Sequence, residues 1–265
     1  MNNRVEFSIE DGVADVRLVR PDKSNALDAA MFDALVESGQ QLKSTRGLRA
    51  VVLSGEGKGF CAGIDMHVLS EMKGGAIAGV RDLVRRTQGI CNHFQYAAWV
   101  WRELPVPVIA AVHGFALGGG FELALGADIR YVTSDARLAV MEVKWGLVPD
   151  MGATQLMRHL ARDDIVRELA YTGRIFSGDD ALRYGFATRV EADPRAAALE
   201  TAREIAAKSP DAVRALKRLF NNAAVVTPEA GLVAETVEQQ ALLASRNQLE
   251  AVHAGLANRV PQYVD

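Results

Sequence analysis

Pro107-Val108-Ile109-Ala110-Ala111-Val112-His113-Gly114, followed after Phe115 by Ala116-Leu117-Gly118-Gly119-Gly120-Phe121-Glu122-Leu123, decides the architecture of this chain. Val106 to Val112 is a continuous run of β-branched residues and alanines, the pattern of a strand buried on both faces. The glycines end it, and from Phe121 to Ala127 the residues suit a helix. A strand that becomes a helix through glycine leaves backbone N–H groups unpaired at the helix start. Glu122 falls among Phe121, Leu123, Ala124 and Leu125, where an unpaired buried charge is costly. A carboxylate placed there points to function.

The same order of elements extends in both directions. Upstream, Val5, Phe7 and Ile9 alternate with polar residues, Asp11-Gly12 supplies turn chemistry, and Val16-Arg17-Leu18 resumes the alternation, which predicts a β-hairpin. Met31, Phe32, Leu35, Val36 and Leu42 recur at helical spacing, with Asp28 as N-cap. A strand follows from Leu48 to Leu53. Downstream, Ile129 to Val132 and Leu138 to Val140 are short enough to be strands. Alternating elements of this kind predict an α/β fold with parallel pairing.

Between His67 and Leu104, Gly74-Gly75 interrupts, and Val80, Leu83, Val84, Ile90, Phe94 and Trp101 suggest a long, imperfectly amphipathic helix in the most mobile part of the chain. From Pro194 onward the pattern is helical, broken at Ser209-Pro210 and Thr227-Pro228. Residues 1–193 therefore read as the body and 194–265 as a helical appendage that covers it or joins subunits.

At 265 residues, 49% hydrophobic and 24% charged, the chain has the balance of a folded protein rather than a disordered one. A net charge of −3 provides no global field for nucleic acid or an anionic membrane. The N-terminus carries no apolar run of signal-peptide length, and no uncharged run is long enough for a membrane span, so a cytoplasmic protein is expected. Cys61 and Cys91 read as reduced packing residues, and no Cys or His spacing suits a metal.

Gly55-Glu56-Gly57-Lys58-Gly59 and Gly114 to Gly120 both invite a phosphate-loop reading, and neither satisfies it. The first lacks Ser or Thr after its lysine, and the second has no lysine. Each cluster does lie where a strand ends and a helix begins. Two N–H groups converging there can form an oxyanion hole, although spacing alone leaves plain strand-to-helix packing as the simpler account.

A resemblance shifts that balance. Asn25-Ala26-Leu27, Phe60-Cys61-Ala62-Gly63-Ile64-Asp65, Pro107 to Gly114, Ala116 to Leu123 and Thr172-Gly173, in that order, resemble the enoyl-CoA hydratase/isomerase (crotonase) family from about Val5 to Val190. The resemblance implies a crotonase spiral of repeated ββα units with a helical C-terminal region that assembles homotrimers or homohexamers. It implies that the N–H groups of Ile64 and Gly119 bind a thioester oxygen, and that Glu122 and Glu142 are catalytic. Ala26, Ala62, Gly63, Asp65 and Gly118 would contact the acyl-CoA, with Lys23 and Ser24 near its phosphates. Coenzyme A would be part of the substrate, with no separate cofactor.

Asp150 is the third acid. Most hydratases of the family have glycine at this position, whereas its dienoyl-CoA isomerases have an aspartate that works with the equivalent of Glu142. Those isomerases usually carry aspartate where this chain has Glu122. Hydration of a 2-enoyl-CoA and a double-bond shift therefore both stay open, beside a thioester hydrolase and a non-catalytic acyl-CoA binder. The local alternative for Asp150 is a turn with a helix N-cap. Trp99, Trp101, Met66, Met72 and Phe94 are candidates for an acyl pocket or for ordinary core. Many relatives end with a phenylalanine and a lysine that reach a neighbour's CoA. Here Gly255 and Asn258 stand there, with Arg259 as a possible substitute.

Overall fold

A computed structural model of the chain describes residues 4–72, 76–77 and 80–265. The Gly74-Gly75 interruption lies outside the described residues. Strands β1 (Val5–Glu10) and β2 (Val13–Leu18) form the expected hairpin, turning through Asp11 and Gly12, both at positive φ. β2 then pairs in parallel with β3 (Ala50–Gly55), and β3 with β4 (Val108–Val112). β4 continues in parallel to β6 (Ile129–Val132), which pairs with β8 (Arg189–Val190). The sheet order is β1-β2-β3-β4-β6-β8. A second, smaller sheet pairs β5 (Phe115–Leu117) in parallel with β7 (Arg137–Ala139).

The period-two alternation of the strands divides the core into two layers. Val16, Leu18, Val51, Leu53, Val108, Ala110 and Val112 face the main core. Their neighbours Val13, Ala50, Val52, Ile109, Ala111 and Tyr131 face Ala198 and Ala202 of α8 (Pro194–Ala206). Burial on both faces is why β3 and β4 read as unbroken apolar runs. On the main-core side lie α1 (Ala29–Lys43), α3 (His93–Glu103) and α4 (Gly119–Leu125). Asp28 caps α1 by accepting from the Met31 N–H at 2.8 Å, as the sequence predicts.

The long helix expected between Val80 and Trp101 is not formed. Only α3 is helical there, started by a capping box in which Asn92 and Gln95 satisfy each other's backbone. Before it, Asp82 accepts from the N–H groups of Val84 and Arg85, and Arg86 donates to the carbonyls of Leu83 and Val84. Side chains thus occupy backbone groups that a helix would need. Val84 is 82% exposed, so its helical spacing does not mark a buried face.

The short helices α2 (Met66–Ser70), α5 (Ala153–Met157), α6 (Asp163–Thr172) and α7 (Gly178–Tyr184) join these layers. After α8 come α9 (Pro210–Ala223), α10 (Pro228–Leu242) and α11 (Arg246–Leu256), with breaks at both Ser-Pro and Thr-Pro positions. None of the described helices is long and apolar enough to cross a membrane.

Candidate active site

α4 begins immediately after β5, and the turn between them is built on Gly118 at φ 51°, ψ −125°. That conformation is closed to L side chains, and a Cβ at this position would lie 2.9 Å from Glu142 Oε1. Gly118 therefore allows the helix start and the Glu142 carboxylate to share one place. From the other side comes the loop after Phe60. Gly63, at φ 86°, brings it so close that an added Cβ would meet Leu117 O at 2.5 Å and Gly119 N at 3.6 Å.

The loop is fastened from below. Leu27 N–H donates to Gly63 O and Asp65 N–H to Leu27 O, so the peptide of Ile64 is held between two hydrogen bonds. Among the described residues, neither the Ile64 nor the Gly119 N–H has a protein acceptor. Two unpaired donors thus lie on adjoining segments at the wall of one cavity of about 120 Å³.

Glu122, Glu142 and Asp150 line that same cavity. Glu122 is 1% exposed, and its Oε2 accepts from the N–H groups of Met151 (2.9 Å) and Ala153 (3.2 Å). Burial pushes its carboxyl well above the usual carboxylate range, helped by the charge of Glu142 and opposed by those two donors. Glu142 is also raised by burial, opposed first by a backbone hydrogen bond and then by the neighbouring Glu122 carboxyl. Burial thus favours the protonated form of both carboxyls, most strongly that of Glu122. Glu142 Oε2 is buried with no partner among the described residues. Burial raises Asp150 too. The turn-and-cap account of Asp150 fails, because Gly152 is the N-cap of α5 and makes no side-chain cap bond.

The other predicted contacts divide. Ala62, Gly63, Ile64, Gly118 and Gly119 line the cavity, and Lys23, Ser24, Ala26 and Asp65 do not. Lys23 ends a 3-10 turn, and Ser24, at φ 55°, accepts from the Ala62 N–H at 3.0 Å. Ala26 is buried and its carbonyl accepts from Arg20 Nη1. Asp65 caps α2 through the His67 N–H and pairs with Arg20 at 2.7 Å, and the cap and the guanidinium hold its carboxyl below the usual range.

Residues 8–265 match the family model described as Enoyl-CoA hydratase/isomerase. The chain belongs to the enoyl-CoA hydratase/isomerase family. It is similar to the Delta(3,5)-Delta(2,4)-dienoyl-CoA isomerase, mitochondrial, of Pongo abelii, 36% identical over 266 residues that cover 95% of this chain and 78% of that protein. The Homo sapiens protein of the same name is 40% identical over 222 residues, covering 79% of this chain and 66% of its own length. The crystal structure of an enoyl-CoA hydratase from Bacillus anthracis superposes with a TM-score of 0.89 at 30% identity, covering 98% of this chain and 99% of that one. The fold is the crotonase fold that the sequence motifs imply.

Within this enoyl-CoA hydratase/isomerase family member, Met66, Met72 and Phe94 do line the cavity, together with Leu27, Phe32, Ile77, Met141 and Met151, which sequence reasoning missed. These come from separate segments with no shared period, so only contact in space groups them. Trp99 and Trp101 are not among the lining residues. Trp101 is fully buried core, its indole N–H bonded to Ala97 O. Cys61 donates to Asn25 O and burial pushes its thiol to about 12, which removes it as a nucleophile. His113 Nε2 contacts Gly57 O at 3.0 Å, a structural role. Arg259 is engaged by Glu250 at 2.6 and 2.8 Å, which occupies the cation considered for phosphate.

Proposed function

We propose that this chain converts a 3,5-dienoyl-CoA into the conjugated 2,4-dienoyl-CoA. The observation that carries this reading is that Asp150 joins Glu122 and Glu142 in the lining of one cavity, giving more acids than a single proton transfer needs. Relatives bearing the dienoyl-CoA isomerase name at 36% and 40% identity add support. In this reading Glu142, whose carboxylate adjoins Gly118 at the thioester end, takes a proton from C2. The charge that develops on the thioester oxygen is held by the Ile64 and Gly119 N–H groups, each donor contributing about 3–4 kcal/mol. The double bonds move from positions 3 and 5 to positions 2 and 4 as Asp150 returns a proton at C6. Glu142 ends protonated and Asp150 ionised, and proton exchange with water resets them. Glu122 keeps its proton and hydrogen-bonds Glu142.

Among the described residues the cavity lining contains these three acids and no Lys, Arg or His, which favours an apolar acyl chain over one ending in an anion. The CoA portion is proposed to leave past Ala62 and Gly63 toward Ser24 and Lys23, a path supported by the hydrogen bond between Ala62 and Ser24. Ala26 and Asp65 would act by holding that path in shape. This chemistry calls for no metal or separate cofactor. A homotrimer or homohexamer joined through residues 194–265 belongs to the same proposal, supported by α10, which has no buried residue. So does a cytosolic setting, supported by two unpaired thiols, although the relatives named above are mitochondrial.

A second reading is hydration of a 2-enoyl-CoA, favoured by the presence of both Glu122 and Glu142 in the lining of one cavity, where the pair would orient a water. One assay separates the two. The protein is offered a 3,5-dienoyl-CoA and a 2-enoyl-CoA, and the conjugated dienoyl chromophore and the enoyl chromophore are followed. Asp150→Asn should lower dienoyl formation by about 10²–10⁴-fold. Unchanged dienoyl formation in that variant would remove Asp150 from the mechanism, and loss of the enoyl chromophore alone would favour the hydratase.

A further inference from the structure

A second cavity, of about 500 Å³, is lined by residues of β6, α5 and α9 and shares none with the acid-lined cavity. Its lining joins an apolar wall, including Leu156, Leu160, Leu216 and Phe220, to the cations Arg102, Arg130, Lys208 and Lys217. Among the described residues Asp128 is the only carboxylate in that lining. Its Oδ2 is already shared between the Lys217 ammonium at 2.8 Å and the Val108 N–H at 2.7 Å. Lys217 completes its donors on the carbonyls of Trp101 and Val106, so that pair is satisfied.

The two arginines are not. Arg130 is buried, and donates through Nε to Phe186 O and through Nη1 to Ala127 O, while Nη2 has no acceptor among the described residues. Arg102 stacks near Trp99 at 5.8 Å and its guanidinium has no hydrogen-bond acceptor among the described residues. Burial lowers both groups, Arg130 to about 10, with the Asp128 charge partly opposing this on each and Arg102 adding to it on Arg130. Four cations share this lining with one carboxylate, which already bonds Lys217, so an incoming anion would offset the excess positive charge.

We propose that this cavity binds a small carboxylate with an apolar chain, its headgroup between Arg102 and Arg130 and its chain along Leu156, Leu160, Leu216 and Phe220. Guanidinium groups suit a carboxylate through paired N–H donors, and the apolar wall takes up the chain, which inorganic phosphate lacks. The site is separate from the acid-lined cavity, which an anion would avoid.

Octanoate is the probe, titrated calorimetrically into the full-length protein. Arg102→Met should weaken binding at least about tenfold and Arg102→Lys less, since a lysine keeps the charge and loses the fork. Glu142→Gln should leave octanoate affinity unchanged, and octan-1-ol should bind at least about tenfold more weakly than octanoate. Sensitivity to Glu142→Gln with indifference to Arg102→Met would overturn the proposal. So would displacement of octanoate by low concentrations of inorganic phosphate, which would make the site one for phosphate. Sedimentation of the Arg102→Met variant adds an independent check. Dissociation of the assembly would mean that an acidic side chain of a second copy fills the cavity, and the proposal would fall.

Discussion

Glu122 is under two opposed demands. Two backbone donors favour its ionised form, yet burial and the charge of Glu142 outweigh them and push its carboxyl well above the usual carboxylate range. Because its folded-state pKa is raised, its contribution to stability is fully present below the ordinary glutamate value. As pH rises from there toward the folded-state pKa, the unfolded chain loses its proton first and that contribution is lost. Glutamine keeps an acceptor for Met151 N–H and a donor toward Glu142 but does not titrate. Glu122→Gln should therefore melt higher than the unaltered protein at alkaline pH, by about 1–2 kcal/mol, with the difference shrinking toward acid. Turnover should fall in the same variant. Thermal unfolding of both proteins across that pH range tests this, and a difference independent of pH would show that Glu122 is not the protonated partner.

The turn from β5 into α4 concentrates the requirements on a single element. Gly118 adopts a backbone conformation reserved for glycine, and its missing Cβ leaves room for the Glu142 carboxylate. Gly118→Ala should strain the turn, displace Glu142 and cut kcat by at least about tenfold with a smaller effect on KM, because the loss falls on reacting groups rather than on binding. Steady-state kinetics with a CoA thioester check it, and an unchanged kcat would mean that the turn does not set Glu142. The elements legible in the sequence were those with a strong period or a cap. The β1–β2 hairpin carried alternation and a turn pair, α1 carried Asp28, and β4 was an unbroken apolar run. β7 was legible as the short run Leu138 to Val140, one residue late, whereas β5, three residues long, is too short for a period to appear. Residues 80–92 had helical spacing, but Asp82 and Arg86 take up the backbone locally, a contest that side-chain spacing does not encode. Glu122 was legible as a charge in an apolar run. Glu142 and Asp150 were legible only through the family motifs, and their shared cavity with Met141 and Met151 only in three dimensions.

For the molecule as a whole, the unequal treatment of the C-terminal helices is the informative contrast. α8 completes the second face of the sheet, and α9 is tied to the body through buried Lys217. α10 packs on α9 and buries nothing of its own, leaving Val233 and Val237 63% and 62% exposed one helical turn apart, with Leu232 beside them. An apolar stripe of this kind on a folded chain marks a surface that another surface covers. If copies of the chain cover it, each valine buried contributes about 1.5–3 kcal/mol, and replacing it with a charge adds a desolvation cost at the interface. The double variant Val233→Lys and Val237→Lys should then sediment as a smaller species while its far-ultraviolet circular dichroism is unchanged, since neither side chain supports the body. An unaltered sedimentation coefficient would exclude this stripe from the contact between copies. A parallel loss of dienoyl formation in the dissociated variant would extend the effect to the acid-lined cavity, by showing that a neighbouring copy completes its wall.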